Sequence, residues 1–491
     1  MMSDTGKTSW LRSVRSSESF IILVVSIAIF TDLFNYGMIV PIMPVALVER
    51  VGAREEDAQF WVSVLLAVHG CTLLLGSPLF GYFADHCTVR RTPFVLGMVA
   101  FAGSITMFVL AQSLPVLIIA RALQGFSAAA VWVVGLALIA DNVATERVGE
   151  AMGYTGIALT WGFLLGPSVG GIMYDSLGFY GTFAIPIALL VVDVILRLAM
   201  IEKSELTEDY SDETHVANSQ SSTVKNDIGY NTFSSQSEST TECSSFIEST
   251  EAQTPLLGSL ASDVENMRPL PQKNATIFDL LFSPRLPIAL LSTIVISIVF
   301  HALETALPLF VMGTFHWTSA GAGLMFMIPS VPSFAGVYIG RLHNKIGPQI
   351  PGAAAFLLAA VTWMLMPLVR HNNAYDATFL VILLLFKGLA VCTVQLVAMT
   401  EVFHVIEAYE AEFPGAFGEK SPIAQGYALF NVAMAAGQLL GPLLAGSIKI
   451  HAGWGAMCMA MGLICGLTSV PFILWSGKAS KNKERAPVLQ N

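Results

Sequence analysis

Runs of about twenty apolar residues recur along this chain of 491 residues, and they restrict its fold more than any other feature. The first six fall at about 20–47, 60–83, 93–112, 115–140, 151–174 and 180–201. Six more fall at about 286–312, 320–341, 351–369, 377–403, 423–447 and 453–476. A run of this length, wound as a helix, crosses the ~30 Å hydrocarbon core of a bilayer. A helix also pairs its own backbone polar groups, which lipid requires. Charged residues make up 12% of the chain, against about 25% in a soluble protein. The expectation is an all-α membrane protein of twelve transmembrane helices, arranged as six plus six.

The intervening segments set the domain organisation. A polar tail over 1–19 precedes an N-terminal six-helix half over 20–201. An acidic, Ser/Thr-rich loop over 202–276 follows, then a second six-helix half over 277–476 and a basic tail over 477–491. The loop holds 13 acidic and 4 basic residues, so its −9 accounts for nearly all of the chain's net charge of −10. Its composition predicts a disordered linker. Placing the N-terminus inside puts 13 Lys and Arg of the short flanks on the inner side, Arg90, Arg91, Arg147, Arg341 and Lys345 among them. Only Arg50, Arg54, Arg370 and Lys449 then lie outside. That bias predicts cytosolic termini and a cytosolic loop. The first apolar run is too long for a cleavable signal peptide and has no small-residue cleavage site after it. The six cysteines are scattered, which predicts neither a disulfide framework nor a zinc site. No metal-ligand cluster, nucleophile elbow or phosphate loop stands out, so neither enzyme chemistry nor nucleic-acid binding is expected.

Charged side chains inside membrane spans are costly and mark function by default. Asp32 lies about twelve residues into the first run, within Phe30-Thr31-Asp32-Leu33-Phe34-Asn35-Tyr36. A lone carboxylate at that depth must be protonated, paired or in a wet cavity. His301 and Glu304, three apart in the seventh run, share a helix face and can share a proton. Lys387 in the tenth run could pair with Glu304 or with Asp32, or reach outward. Asp193 and Arg197, four apart, form a self-neutralising pair. Arg121 in the fourth run either snorkels or faces the bundle interior. Glu401 is expected to be structural, and His69 either faces a cavity or packs.

Four motifs carry a resemblance to a known family. Residues 153–171 read Gly153-x8-Gly162-x3-Gly166-Pro167-x2-Gly170-Gly171, glycines spaced to let another helix approach closely. The pattern is echoed six runs later by Gly437, Gly441, Pro442 and Gly446. After the second run, Gly81, Asp85, Arg90 and Arg91 match a G-x-x-x-D-x4-[RK]-[RK] loop, with Thr88 where glycine is usual. Arg121, Gln124 and Gly125 give R-x-x-Q-G. These resemble motifs C, A and B of the major facilitator superfamily, in its twelve-span drug:proton antiporter branch, and residues 30–44 resemble the first helix of vesicular amine transporters.

The resemblance implies two six-helix halves rocking about a central cavity. It implies secondary active transport, with a proton gradient in place of any cofactor: efflux of a small amphipathic compound such as a secondary metabolite, toxin or drug. It makes Asp32 a substrate or proton site, Arg121 and Gln124 the tuners of a proton-carrying carboxylate, and Asp85 with its arginines a gate. The vesicular amine transporters carry essential aspartates where this chain has Gln395 and Asn431, which weakens an amine/proton exchanger reading. Asn35, Gln395 and Asn431 suit a polar, uncharged group. Phe, Met and Leu in the spans supply the lipid face and part of a cavity wall. A monomer in the plasma membrane, or in a vacuolar or vesicular one, is expected; a non-transporting receptor is the reading from another class.

Overall fold

The computed structural model describes residues 14–86, 91–143, 147–200, 285–413 and 422–475. The linker expected over 202–276, both extreme tails and Arg90 lie outside the described residues, as do the side chains of Asp85 and Arg91. Helices account for almost everything described, with no strand among those residues. In the first half they are α1 (Glu18–Val51), α2 (Ala58–His86), α3 (Arg91–Leu110), α4 (Leu114–Asn142), α5 (Val148–Thr182) and α6 (Ala184–Ala199). In the second they are α7 (Arg285–Phe315), α8 (Ser319–Met327), α9 (Gly336–Ile346), α10 (Gln349–Leu365), α11 (Ala374–Glu412) and α12 (Pro422–Trp475).

Eight helical stretches among the described residues are long and apolar enough to cross a membrane, with shorter apolar ones at Phe94–Leu110 and Ser319–Ala335. Helices and apolar runs fail to correspond one to one at two places, for separate reasons. The eighth run is not one α-helix, because Pro329 and Pro332 fall in a 3-10 stretch, Ile328–Ala335, between α8 and α9; a proline inside an α-helix removes a donor and clashes with the preceding turn. The eleventh and twelfth runs are joined as α12, which turns at Gly453, at φ 83° and ψ 175°. Gly178 makes the same turn near the end of α5, at φ 72° and ψ −176°. Both angles need glycine.

The ends are set by local chemistry. The Ser17 side chain caps α1 by accepting from the Phe20 N–H at 3.3 Å, and Gly52 closes it in the left-handed conformation. Asn373 accepts from the Asp376 N–H at 2.6 Å to start α11, while Asp376 accepts from the Arg370 and His371 N–H groups at 2.8 Å. The helix α11 runs past the expected limit of 403 to Glu412. Hydropathy sees only the apolar part; Glu401, bonded to Arg285 of α7 at 3.2 Å, anchors the polar continuation.

The glycine motif packs α5 on α1. A methyl on Gly166 would sit 2.6 Å from the Phe34 carbonyl, and one on Gly162 would sit 2.8 Å from Leu33 Cβ. Gly170 meets Met38, and Gly37 of α1 returns the fit against Pro167. The second copy repeats the arrangement: Gly437 and Gly441 lie on α7 at Ser297 and Ile298. The copies also agree across the halves. Gly171 of α5 abuts Ser319 of α8, and Gly446 of α12 abuts Ser63 of α2.

At one end of the bundle the halves are in contact. Gly323 of α8 lies on the Pro167 carbonyl. The Ala320 N–H donates to Asp175 at 3.0 Å, a cap from the other half where Thr318 provides none. Gln59 of α2 donates to the Thr305 carbonyl of α7 at 3.2 Å. Beside them Tyr174 donates to Glu49 at 2.6 Å, and the Arg50 guanidinium lies 4.4 Å from the Phe179 ring. Toward the other end α5 and α11 part, leaving a cavity.

Candidate functional site: a cavity between the two halves

The cavity has a volume of about 750 Å³ and is bounded by α5, α7, the 3-10 stretch, α11 and α12. Its wall is mostly apolar: Trp161, Phe163, Phe300, Phe334, Met399 and Met434 supply aromatic and thioether surface. Ser297, Ser333, Gln395 and Thr400 supply polar points. Gly153, at the outset of the glycine motif, lines the cavity with nothing near its Cβ position, unlike the packed glycines that follow.

His301 lines this cavity and holds Glu304 behind it, Nδ1 to Oε2 at 2.6 Å. Tyr36 of α1 donates to the same carboxylate oxygen at 2.8 Å. The Tyr36 hydroxyl is also 3.4 Å from His301 Nδ1. Glu304, His301 and Tyr36 are each at most 3% exposed. This buried cluster joins α1 of the first half to α7 of the second. The Tyr36 ring rests on His69 of α2, centroids 4.8 Å apart, and the Arg121 guanidinium lies 5.7 Å from its centroid. Arg121 is fully buried and bonds Gln124 at 2.6 Å. It therefore faces the interior and does not snorkel, and motif B touches the cluster through Tyr36. His69 packs on Tyr36 and does not line the cavity.

The sequence-derived candidates divide into separate places. His301, Lys387 and Gln395 line the cavity, and Glu304 stands one residue behind it. Asp32 does not line it. It is buried inside the first half, next to Trp132 of α4 and within electrostatic reach of Asp193 and Arg197. Asn35 is buried, and its amide finds no hydrogen-bond partner among the described residues. Asn431 is half-buried and is not among the lining residues, though Met434, three positions on, is. The Asp193–Arg197 pair forms as expected, at 3.2 Å, with the guanidinium pressed on the Phe94 ring.

Lys387 takes none of its expected partners. Its ammonium lies 3.7 Å from the centroid of the Trp363 ring, and among the described residues it donates to the Val299 carbonyl at 3.4 Å. A desolvated contact of this kind is worth about 2 kcal/mol, which explains how the side chain rests inside the second half without a carboxylate. Glu401 is held by Arg285 away from the cavity. Of motif A only Gly81 is described in full, and it has ordinary packing room against Val133.

Tyr36 and Trp363 went unrecognised in the sequence. Tyr36 had a signal: it is one residue from Asn35 in the polar part of α1. Trp363 had none, being one aromatic among many in an apolar run.

The Major Facilitator Superfamily model matches residues 25–406. The chain belongs to this superfamily. The Schizosaccharomyces pombe protein named uncharacterized MFS-type transporter C18.02 is 30% identical over 461 residues, covering 94% of this chain and 96% of that one. A probable vesicular acetylcholine transporter of Danio rerio is 30% identical over 196 residues, 39% of this chain and 40% of that one. Among solved structures, the human organic anion transporter MFSD10 superposes with a TM-score of 0.59 at 18% identity, covering 93% of this chain and 99% of that one. That likeness concerns the fold alone. This superfamily member is an integral membrane transporter, and its repeated α5 and α12 packing is the internal repeat such transporters are built on.

Proposed function

We propose that this protein is a proton-coupled antiporter that exports a small amphipathic organic compound, such as a secondary metabolite, toxin or drug, as a monomer. One observation carries the reading: a carboxylate, Glu304, is held by a cavity-lining histidine of one half and a tyrosine of the other. A proton arriving at Glu304 neutralises the carboxylate that both contact and weakens it as an acceptor. That loosens a bond between the halves at the edge of the binding cavity, so protonation and the rocking of the halves act on the same contact. The aromatic and thioether wall suits a bulky, largely apolar ligand. The 13-to-4 bias of basic flanks supports cytosolic termini and a cavity mouth at the cytosol, so that the ligand loads from inside and the closed end faces out. Counting the 3-10-linked α8–α9 pair as one crossing and α12 as two gives twelve crossings. The plasma membrane is the proposed location. The vesicular amine reading draws on Asp32, which is buried in the first half and is not part of the cavity lining, and on the partial likeness to a vesicular acetylcholine transporter, which spans 39% of this chain.

The test is reconstitution into sealed vesicles with an imposed pH gradient, adding neutral, cationic and anionic aromatic ligands in turn. Ligand-dependent collapse of the gradient is expected for the wild type and for Asp32→Asn at a reduced level, and not for Glu304→Gln. Ligand flux with no proton movement in any of the three would sink the antiport reading.

A further inference from the structure

The charge on the cavity wall is one-sided. Among the described lining residues the basic side chains are His301 and Lys387, and no Asp or Glu is present. Glu304 turns its Oε2 toward Tyr36 and His301. Lys387 is 1% exposed, yet three N–H donors meet a single carbonyl at 3.4 Å and the face of Trp363. Around it stand Cys458 and Cys465 of α12, with Glu304 in electrostatic range but not paired. The Trp363 indole N–H beside it is buried and also has no acceptor among the described residues. This corner of the second half thus presents more donors than acceptors, beside a cavity that Lys387 itself helps to line. An ammonium without a counter-charge in a poorly polarisable interior is costly, and the cavity is where a counter-charge can enter. The same field repels a cation.

We infer that the substrate is an organic anion: an aromatic or otherwise apolar body bearing a carboxylate or an equivalent acidic oxygen, whose charge is balanced by Lys387 while its body lies against Trp161, Phe300 and Phe334. This rests on the transport reading above and narrows it. Gln395 and Thr400 remain available to the uncharged polar groups of the ligand. Lys387 is then the residue that sets charge selectivity, distinct from the Glu304 cluster that links the halves.

The test uses the full chain in lipid nanodiscs and a matched series: 2-naphthoate, 2-naphthamide and 2-naphthylmethylammonium. Binding is measured by calorimetry to the wild type, Lys387→Met and Lys387→Arg. The carboxylate is expected to bind the wild type about tenfold tighter than the amide, and the ammonium more weakly than either. Lys387→Met should erase the carboxylate preference while amide binding persists, and Lys387→Arg should keep the preference. Equal binding of carboxylate and amide by the wild type, or tighter binding of the ammonium, overturns the charge assignment and leaves the cavity reading standing. So does a carboxylate preference that survives Lys387→Met. Binding of none of the three overturns both. The wild-type comparison decides the matter even if a variant fails to fold.

Discussion

A close seam between the halves gives a prediction that separates transport motion from fold stability. Gly323 of α8 lies on the Pro167 carbonyl of α5, so close that a methyl there has no room. Gly166, one residue from Pro167, lies instead on α1 inside the first half, where an added methyl would come within 2.6 Å of the Phe34 carbonyl oxygen. Forcing a methyl into either place costs about 1–3 kcal/mol. At Gly323 that cost falls only on the state in which α5 and α8 touch, so Gly323→Ala should shift the equilibrium toward the state open at that end by about 5–150-fold. At Gly166 both states bear the cost equally, so Gly166→Ala should lower thermal stability and leave the equilibrium alone. The assay is pulsed EPR in a cysteine-free background with spin labels at Leu177 and Trp317, which are 61% and 36% exposed at the ends of α5 and α7–α8. Gly323→Ala should populate a longer distance between the labels, and Gly166→Ala should not. Identical distance distributions for Gly323→Ala and wild type would refute the claim that this seam closes the end.

Two further expectations follow from the buried polar groups. Asp193→Asn strands the Arg197 guanidinium in the interior, and losing one partner of a buried pair costs about 3–5 kcal/mol; a lower thermal midpoint in detergent is expected, with ligand binding retained by the protein that stays folded. Tyr36→Phe removes the hydroxyl that reaches Glu304 from the other half at 2.8 Å; ligand-driven proton movement should fall several-fold while ligand affinity changes little, and unchanged proton movement would exclude Tyr36 from coupling.

Much of the fold was legible because lipid leaves little choice. Apolar runs of membrane length placed the helices, and the glycine spacing of 162, 166 and 170 marked where α5 packs, since only close backbone approach asks for that pattern. The last two runs were legible as separate spans at 423–447 and 453–476, but the residue on which the chain turns between them was not: it depends on the φ of Gly453, one glycine among 40. The site was legible in part. His301 and Glu304 could be paired from their spacing because a helix fixes which side chains share a face. Asp32 could not be placed, because depth along a helix says nothing about azimuth, and one face of α1 meets α4 while the next meets α7. Lys387 illustrates the same limit: its partner is a ring on a different helix, and no spacing within α11 encodes it.

The turns at Gly178 and Gly453 have a mechanical consequence. Each reverses the chain through a single residue whose neighbours are already helical, so no linker separates the incoming rod from the outgoing one. A hairpin without a linker has no slack. Any tilt of α5 must drag α6, and any tilt of the first rod of α12 must drag the second. The two hairpins are therefore levers, one in each half, carrying displacement at the cavity wall out to helices that never touch the ligand. Lengthening either elbow by a few flexible residues would leave every contact at the cavity in place and uncouple the far arm of the lever.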